Sequence, residues 1–159
     1  MYSSWVRALG IDYGRRRIGL ALSDATGMLA RPWKTIEWRG GIAAAAGALA
    51  VEIDALAADG DGLFTIVLGY PRRLSGEANE QTAAVEALAT RLRDMTTLPV
   101  ILQDERLSSR EAEAQLARRE KDWRKRKPML DAASAALILQ DYLDAQPRQT
   151  AAADEDEPG

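Results

Sequence analysis

The sequence of 159 residues contains no cysteine and no histidine. The lack of cysteine excludes disulfide bonds and thiolate zinc sites. The lack of histidine excludes Ser-His and Cys-His catalysis, histidine-ligated metals and the most common general base. Carboxylates, amines, guanidinium groups and hydroxyls remain, so we expect any hydrolytic activity to depend on a metal.

Long apolar segments are also missing. No stretch of about 18 apolar residues is free of charge, so we expect neither a transmembrane span nor a membrane partner. Residues 1–7 lack the charged-then-apolar order of a signal peptide. These features predict a cytoplasmic protein, and 47% hydrophobic residues suffice for the core of one domain.

The net charge of −3 hides an uneven distribution. Removing the four acids at positions 154–157 from the 24 acidic residues leaves 20 against 21 basic residues. We predict a single domain over residues 1–148 and an acidic, disordered tail over residues 149–159. Residues 118–127 contain seven basic and two acidic residues, a composition that suits contact with phosphates.

The hydrophobic pattern predicts an α/β fold with the element order β-β-β-α-β-α-β-α-α. Three consecutive strands followed by alternating units indicate a five-stranded mixed sheet with helices on both faces. Proline at position 32 places the third strand at an edge or delays its start. The predicted strands span residues 6–11, 17–23, 29–38, 63–69 and 99–103, and the predicted helices span residues 42–58, 79–95, 108–119 and 131–145.

Acidic residues follow two of the predicted strands and open the last helix. Asp12 follows the first strand, Asp104 and Glu105 follow the fifth, and Asp131 precedes an apolar helical run. Ligands of such sheets gather at the carboxyl ends of parallel strands. Carboxylates brought to one point suit Mg²⁺ or Mn²⁺, ions that are often used to hydrolyse phosphodiesters. The pattern therefore predicts a metal-dependent nuclease.

Each acid also has an ordinary structural interpretation. Asp12 could form an Asx-turn before Gly14, and Asp131 could be the N-cap of its helix. Asp104 and Glu105 point to opposite faces of a strand, so only one of them is expected to face the metal. Glu105 could instead pair with Arg106 or cap the helix that begins at Ser108.

Arginines and one lysine lie in the loops near these acids. As a set they could bind substrate phosphates, although a solvated surface is the ordinary role for each one taken singly. The candidates for substrate binding are Arg15, Arg72, Arg73, Arg106 and Lys127.

Four motifs in order resemble the YqgF family of the RNase H-like superfamily, also described as Holliday junction resolvases or pre-16S rRNA nucleases. The first is Gly10-Ile11-Asp12-Tyr13-Gly14 followed by Ile18-Gly19-Leu20-Ala21, and the second is Val67-Leu68-Gly69-Tyr70-Pro71. The third is Asp104-Glu105-Arg106-Leu107-Ser108, and the fourth is Lys127 and Asp131 with Ala135, Ile138, Leu139 and Tyr142.

The resemblance implies an RNase H-like fold with a catalytic metal site on Asp12, Glu105 and Asp131. It favours Glu105 over Asp104, which stays the alternate ligand. It also implies maturation of the 5′ end of pre-16S rRNA, with RNA rather than DNA as substrate, a ribosome precursor particle as partner, and a monomer or weak homodimer. Arg72 and Arg73 depart from the family's usual residues, which puts substrate contacts rather than the metal site in question.

Three alternatives stay open on the sequence. One is a DNA endonuclease that cuts Holliday junctions, and another is a non-catalytic RNA-binding factor for ribosome assembly. The third is an actin-like nucleotidase or sugar kinase, whose phosphate loop Asp12-Tyr13-Gly14 matches loosely. Against the third, 159 residues cannot supply the two domains that close around ATP in those proteins.

Overall fold

A computed structural model describes residues 7–71, 80–105 and 123–147. Five strands and three helices lie in these ranges. The strands are β1 (Ala8–Tyr13), β2 (Arg17–Ser23), β3 (Ala30–Glu37), β4 (Thr65–Tyr70) and β5 (Val100–Asp104). The helices are α1 (Ile42–Ala58), α2 (Glu80–Met95) and α3 (Trp123–Ala145).

The strands form one mixed sheet in the order β3-β2-β1-β4-β5. The first three strands pair antiparallel, whereas β4 and β5 run parallel to β1. The carboxyl ends of β1, β4 and β5 therefore lie at the same end of the sheet. Strand β1 is central, and the predicted edge position of β3, which contains Pro32, is confirmed.

Alternation along the strands divides the side chains between two cores. Leu9 and Ile11 of β1 pack with α1 and α2 on one face, whereas Ala8 packs with α3 on the other. Asp12 has the same parity as Ala8, so its side chain belongs to the α3 face. The predicted layers on both sides of the sheet are confirmed by these two cores.

Three glycines on adjacent strands allow α3 to lie close to the sheet, and we call them the glycine track: Gly10, Gly19 and Gly69. A Cβ at Gly10 would lie 2.7 Å from Cβ of Leu139, and one at Gly69 would lie 2.6 Å from Cδ1 of Ile138. A Cβ at Gly19 would overlap the main-chain carbonyl of Asp131. The track therefore fixes where α3 crosses the strands.

The structure corrects the prediction at two elements. Helix α3 begins at Trp123, and Asp131 lies well inside it, so Asp131 is not an N-cap. Pro128 lies inside this helix and does not end it, although a proline has no N–H to donate and its ring crowds the carbonyl four residues earlier. Strand β1 continues through Tyr13, because Asp12 pairs with Gly19 and Tyr13 with Ile18.

Other predictions agree with the structure or lie outside it. The bounds of β2 and α1 are confirmed, and those of the remaining strands and α2 shift by one or two residues. The predicted helix over residues 108–119 and the acidic tail lie outside the described residues. Within the described ranges, no helix has the length and hydropathy that crossing a membrane requires.

Candidate metal-dependent active site

Asp12 lies on the central strand, facing α3. Its partner across the β1–β2 ladder is Gly19, which has no side chain to cover it. The main chain at Asp131 lies directly over Gly19. Asp12 and Asp131 are thus brought together by the close docking of a helix on a glycine.

Glu105 comes to the same face from the end of β5. Its main-chain N–H donates to the carbonyl of Tyr70 at 3.0 Å, which continues the β4–β5 pairing by one residue. A Cβ at Gly69 would lie 3.5 Å from Oε2 of Glu105 and 3.5 Å from the carbonyl oxygen of Ile11. The Glu105 carboxylate therefore lies above Gly69, next to β1.

Asp104 points away from this site. It is exposed, and its charge raises the pKa of Tyr70, whose side chain belongs to the α1–α2 face. The hydroxyl of Tyr70 donates to Glu86 of α2 at 2.9 Å, and this hydrogen bond is the main cause of the raised pKa. The strand geometry thus places Glu105, and not Asp104, beside Asp12.

Asp131 is held by a cation from β2. Its Oδ2 lies 3.0 Å from Nε of Arg17, and both side chains are partly exposed. Oδ2 itself is buried and makes no well-aligned hydrogen bond to any described residue. The guanidinium of Arg17 offsets the charge of Oδ2, so a metal ion would share this oxygen with Arg17.

The three carboxylates act on one another electrostatically. Burial, together with the negative charges of Glu105 and Asp131, raises the pKa of Asp12 to about 7. Burial also raises the pKa of Glu105. Burial raises the pKa of Asp131 as well, whereas the positive charge of Arg17 opposes that rise. The cluster has more negative charge than its surroundings compensate.

The chemistry of this cluster fits a hard divalent cation. Its donors are carboxylate oxygens, the ligands that Mg²⁺ and Mn²⁺ prefer, and one buried oxygen lacks a donor. Within the described residues, however, no three acidic side chains already form a ready-made metal-binding group.

Comparison with known proteins identifies the family of this chain. The model of the RuvX family, described as Holliday junction resolvase, matches residues 6–145. The chain belongs to the RuvX family. A Geobacillus kaustophilus relative named "Putative pre-16S rRNA nuclease" is 36% identical over 89% of this chain and 99% of the relative. A Syntrophus aciditrophicus relative of the same name is 40% identical over 88% and 89%, respectively.

A solved structure supports the fold. RuvC of Thermus thermophilus, in complex with a Holliday junction substrate, is 15% identical to this chain, with a TM-score of 0.51. The match covers 88% of this chain and 94% of RuvC. The predicted RNase H-like fold and the resemblance to the YqgF family are confirmed, and the RuvX assignment favours a nuclease over a nucleotidase.

The predicted substrate-binding residues of this RuvX member are only partly described. Arg15 is exposed in the turn between β1 and β2. Lys127 lies on α3 one turn before Asp131, although its side chain lies outside the description. Arg72, Arg73 and Arg106 lie outside the described residues.

Sequence reasoning missed the contribution of Arg17 and of the glycine track. Arg17 is not among the predicted site residues, yet it begins β2 and pairs with Asp131. The signal was its spacing of two from Gly19, since residues i and i+2 of a strand share one face. That spacing places Arg17 on the same face as the glycine that admits Asp131.

Proposed function

We propose that this protein is a metal-dependent nuclease that hydrolyses phosphodiester bonds during maturation of the 5′ end of pre-16S rRNA. One observation carries the proposal: Asp12, Glu105 and Asp131 come from β1, β5 and α3 to one face of the sheet, where burial and the charges of Glu105 and Asp131 raise the pKa of Asp12 to about 7. A cation between them would remove the repulsion that the cluster otherwise contains. The names of the relatives indicate the substrate.

Asp12, Glu105 and Asp131 would hold one or two Mg²⁺ or Mn²⁺ ions. Bound there, such an ion supplies an activated water and stabilises negative charge that develops on the phosphate. Asp12 would contribute the central ligand because it lies on the central strand between the other two. Asp104, the alternate ligand, is not included in the proposed site because it is exposed on the opposite face of the sheet.

Arg17 would act as a positioning residue. Its guanidinium holds Asp131 at 3.0 Å and offsets part of the negative charge of the cluster. Charge-assisted contacts of this kind restrict a carboxylate to a small range of orientations. Arg17 thereby keeps Asp131 near Asp12 before a cation or a substrate arrives.

RNA is the proposed substrate and a ribosome precursor particle the proposed partner, with action in the cytoplasm as a monomer or weak homodimer. The relatives' shared name supports RNA. The family description supports a second candidate, cleavage of a four-way DNA junction. A resolvase must place two sites symmetrically, so that alternative requires a stable dimer.

A cleavage assay tests the proposal. The unaltered protein, Asp12→Asn and the control Asp54→Asn are each incubated with a ribosomal RNA precursor end and with a four-way DNA junction. Each reaction is run with Mg²⁺, with Mn²⁺ or with EDTA. Asp54 is an exposed acid on α1 and matches the chemistry of the substitution without touching the cluster.

We expect cutting that requires the metal, is lost in Asp12→Asn and is retained in Asp54→Asn. Preferential cutting of the junction would transfer the proposal to the DNA candidate. Binding of RNA without any cutting, and with equal affinity in EDTA, would contradict a nuclease and support an assembly factor.

A further inference from the structure

A second charged surface lies at the turn that follows the strand of Asp12. An open groove of about 720 Å³ runs between the β1–β2 turn and the end of β3. Its size is in the range of pockets that hold nucleotide-sized ligands. We call it the arginine groove, and its lining consists of Arg15, Arg16, Glu37, Trp38, Arg39 and Gly40.

The groove has an excess of positive charge. Three arginines face a single acid, Glu37, and all four of these residues are exposed. Arg16 and Arg39 form no ion pair with any residue in the described ranges. This distribution creates a local attraction for anions on a chain whose net charge is −3.

Three other arginines of the described chain are used internally. Arg7 donates to the carbonyls of Gly62 and Leu56, and Arg93 donates to the carbonyl of Val100. Arg17 is paired with Asp131, as described above. Arg16 and Arg39 hold no such partner in the described ranges, so their guanidinium groups are available to an external ligand.

The floor of the groove is held in place by hydrogen bonds. Gly14 N–H donates to the carbonyl of Arg17 at 3.1 Å, which closes the turn, and Trp38 N–H donates to the carbonyl of Arg16 at 3.2 Å. The indole N–H of Trp38 donates to the carbonyl of Gly14 at 3.2 Å. Binding to a surface built in advance loses less conformational freedom.

Trp38 is a structural element of this floor and not a platform for bases. Its ring packs against Tyr13 at a centroid distance of 5.5 Å, and its N–H is already satisfied. The groups that the groove offers to a ligand are therefore guanidinium donors. Guanidinium donors on a loop suit phosphate oxygens and read no base sequence.

The groove lies within short reach of the acidic cluster. Arg15 and Arg16 follow Asp12 by three and four residues, so their Cα atoms lie at most about 14 Å from that of Asp12. At about 3.4 Å per nucleotide along a strand, this distance corresponds to about four nucleotides. A strand that passes over Asp12 reaches the groove within that number.

We propose that Arg15, Arg16 and Arg39 bind the phosphates of the nucleic-acid strand that flanks the cleaved bond, up to about four nucleotides away. This inference rests on the proposed nuclease function and adds the path of the substrate. The groove binds the backbone of any sequence and determines affinity and register, whereas the acidic cluster performs the hydrolysis.

The test is a binding titration of Arg16→Gln/Arg39→Gln against Arg31→Gln/Arg91→Gln. The control arginines are exposed, lie on β3 and α2, and do not line the groove. Both double substitutions are made in a chain that also carries Asp12→Asn, with EDTA present, so that nothing is cut. Fluorescence anisotropy of a labelled single-stranded RNA and, separately, of a labelled four-way DNA junction is followed over a series of salt concentrations.

The loss of two phosphate contacts should change the salt dependence of binding by a calculable amount. Each contact contributes about 0.7 to the slope of log affinity against log salt on a single strand, so the slope falls by about 1.4. At 0.1 M salt this corresponds to about 25-fold weaker binding. The control pair retains the affinity and slope of the parent Asp12→Asn chain.

The outcomes separate the groove from the proposed function. Unchanged affinity and slope in the groove pair, in a protein that binds and cuts nucleic acid, would overturn the groove alone. Failure of the parent chain to bind either RNA or a four-way DNA junction would overturn the groove, whereas the nuclease is overturned only by the absence of metal-dependent cutting in the cleavage assay. A loss on either nucleic acid supports the groove, and the larger loss identifies the strand that occupies it.

Discussion

Asp12→Asn should stabilise the metal-free protein, and the gain should depend on pH. In the folded chain the pKa of Asp12 is about 7, whereas the ordinary value is 3.8. The folded state therefore binds the proton more tightly than the unfolded state, so stability is lost as pH rises from about 4 through 7. Asparagine has nearly the same shape but no charge, and it is spared this loss.

The magnitude follows from the two pKa values. At 1.36 kcal/mol per pH unit, the full separation corresponds to about 4 kcal/mol. Part of this loss of stability has already occurred at pH 5. The difference in free energy of unfolding between Asp12→Asn and the unaltered protein should therefore grow by about 2–3 kcal/mol between pH 5 and pH 8. For a chain of this size that corresponds to a relative rise in Tm of about 4–12 °C.

Thermal melts in EDTA at several pH values measure this difference, with Asp54→Asn as control. The control should follow the unaltered protein at every pH. Adding Mg²⁺ at pH 8 should raise the Tm of the unaltered protein more than that of Asp12→Asn, because the variant lacks a ligand. An advantage that is constant or decreasing with pH would refute the view that Asp12 is a buried carboxylate repelled by its neighbours.

Three further substitutions test other parts of the structure. Gly19→Ala should destabilise the fold by about 1–3 kcal/mol in urea melts, because the methyl group meets the main chain of Asp131, whereas Gly47→Ala in open space on α1 should not. Arg7→Ala should lower the free energy of unfolding by about 2–3 kcal/mol, since buried carbonyls lose a charged donor. Ordinary surface substitutions change this free energy by less than about 0.5 kcal/mol, and a change that small would contradict the prediction. Arg17→Gln should weaken the Mg²⁺-induced rise in Tm, because Asp131 loses the group that orients it, and an unchanged rise would remove Arg17 from the site.

The sequence predicts elements best where turns interrupt the hydrophobic pattern sharply. Helix α1 lies between Gly40-Gly41 and the turn at Asp59, and its predicted bounds agree with the structure. Helix α3 was predicted eight residues too short because Pro128 resembles a boundary. A single sequence shows a local signal that can end a helix. It does not show the packing against the sheet that stabilises the helix across that residue.

The candidate site was predictable as a set of acids but not as an arrangement. The alternation of side chains along a strand predicts that Asp104 and Glu105 face opposite sides of the sheet. The ion pair of Arg17 with Asp131 could not be derived, since it depends on the angle at which α3 crosses β2. Contacts of that kind are properties of two packed elements and leave no periodic mark in either.

The glycine track determines the position of α3 along the helix axis. Asp131, Ala135 and Leu139 are spaced by four along α3, so Gly19 and Gly10 receive one row of the helix surface. Sliding α3 by one turn would move Asp131 by about 5.4 Å, well beyond the reach of a shared cation. The longitudinal position of a helix, and not the rotamer of one side chain, then determines whether the three carboxylates work together.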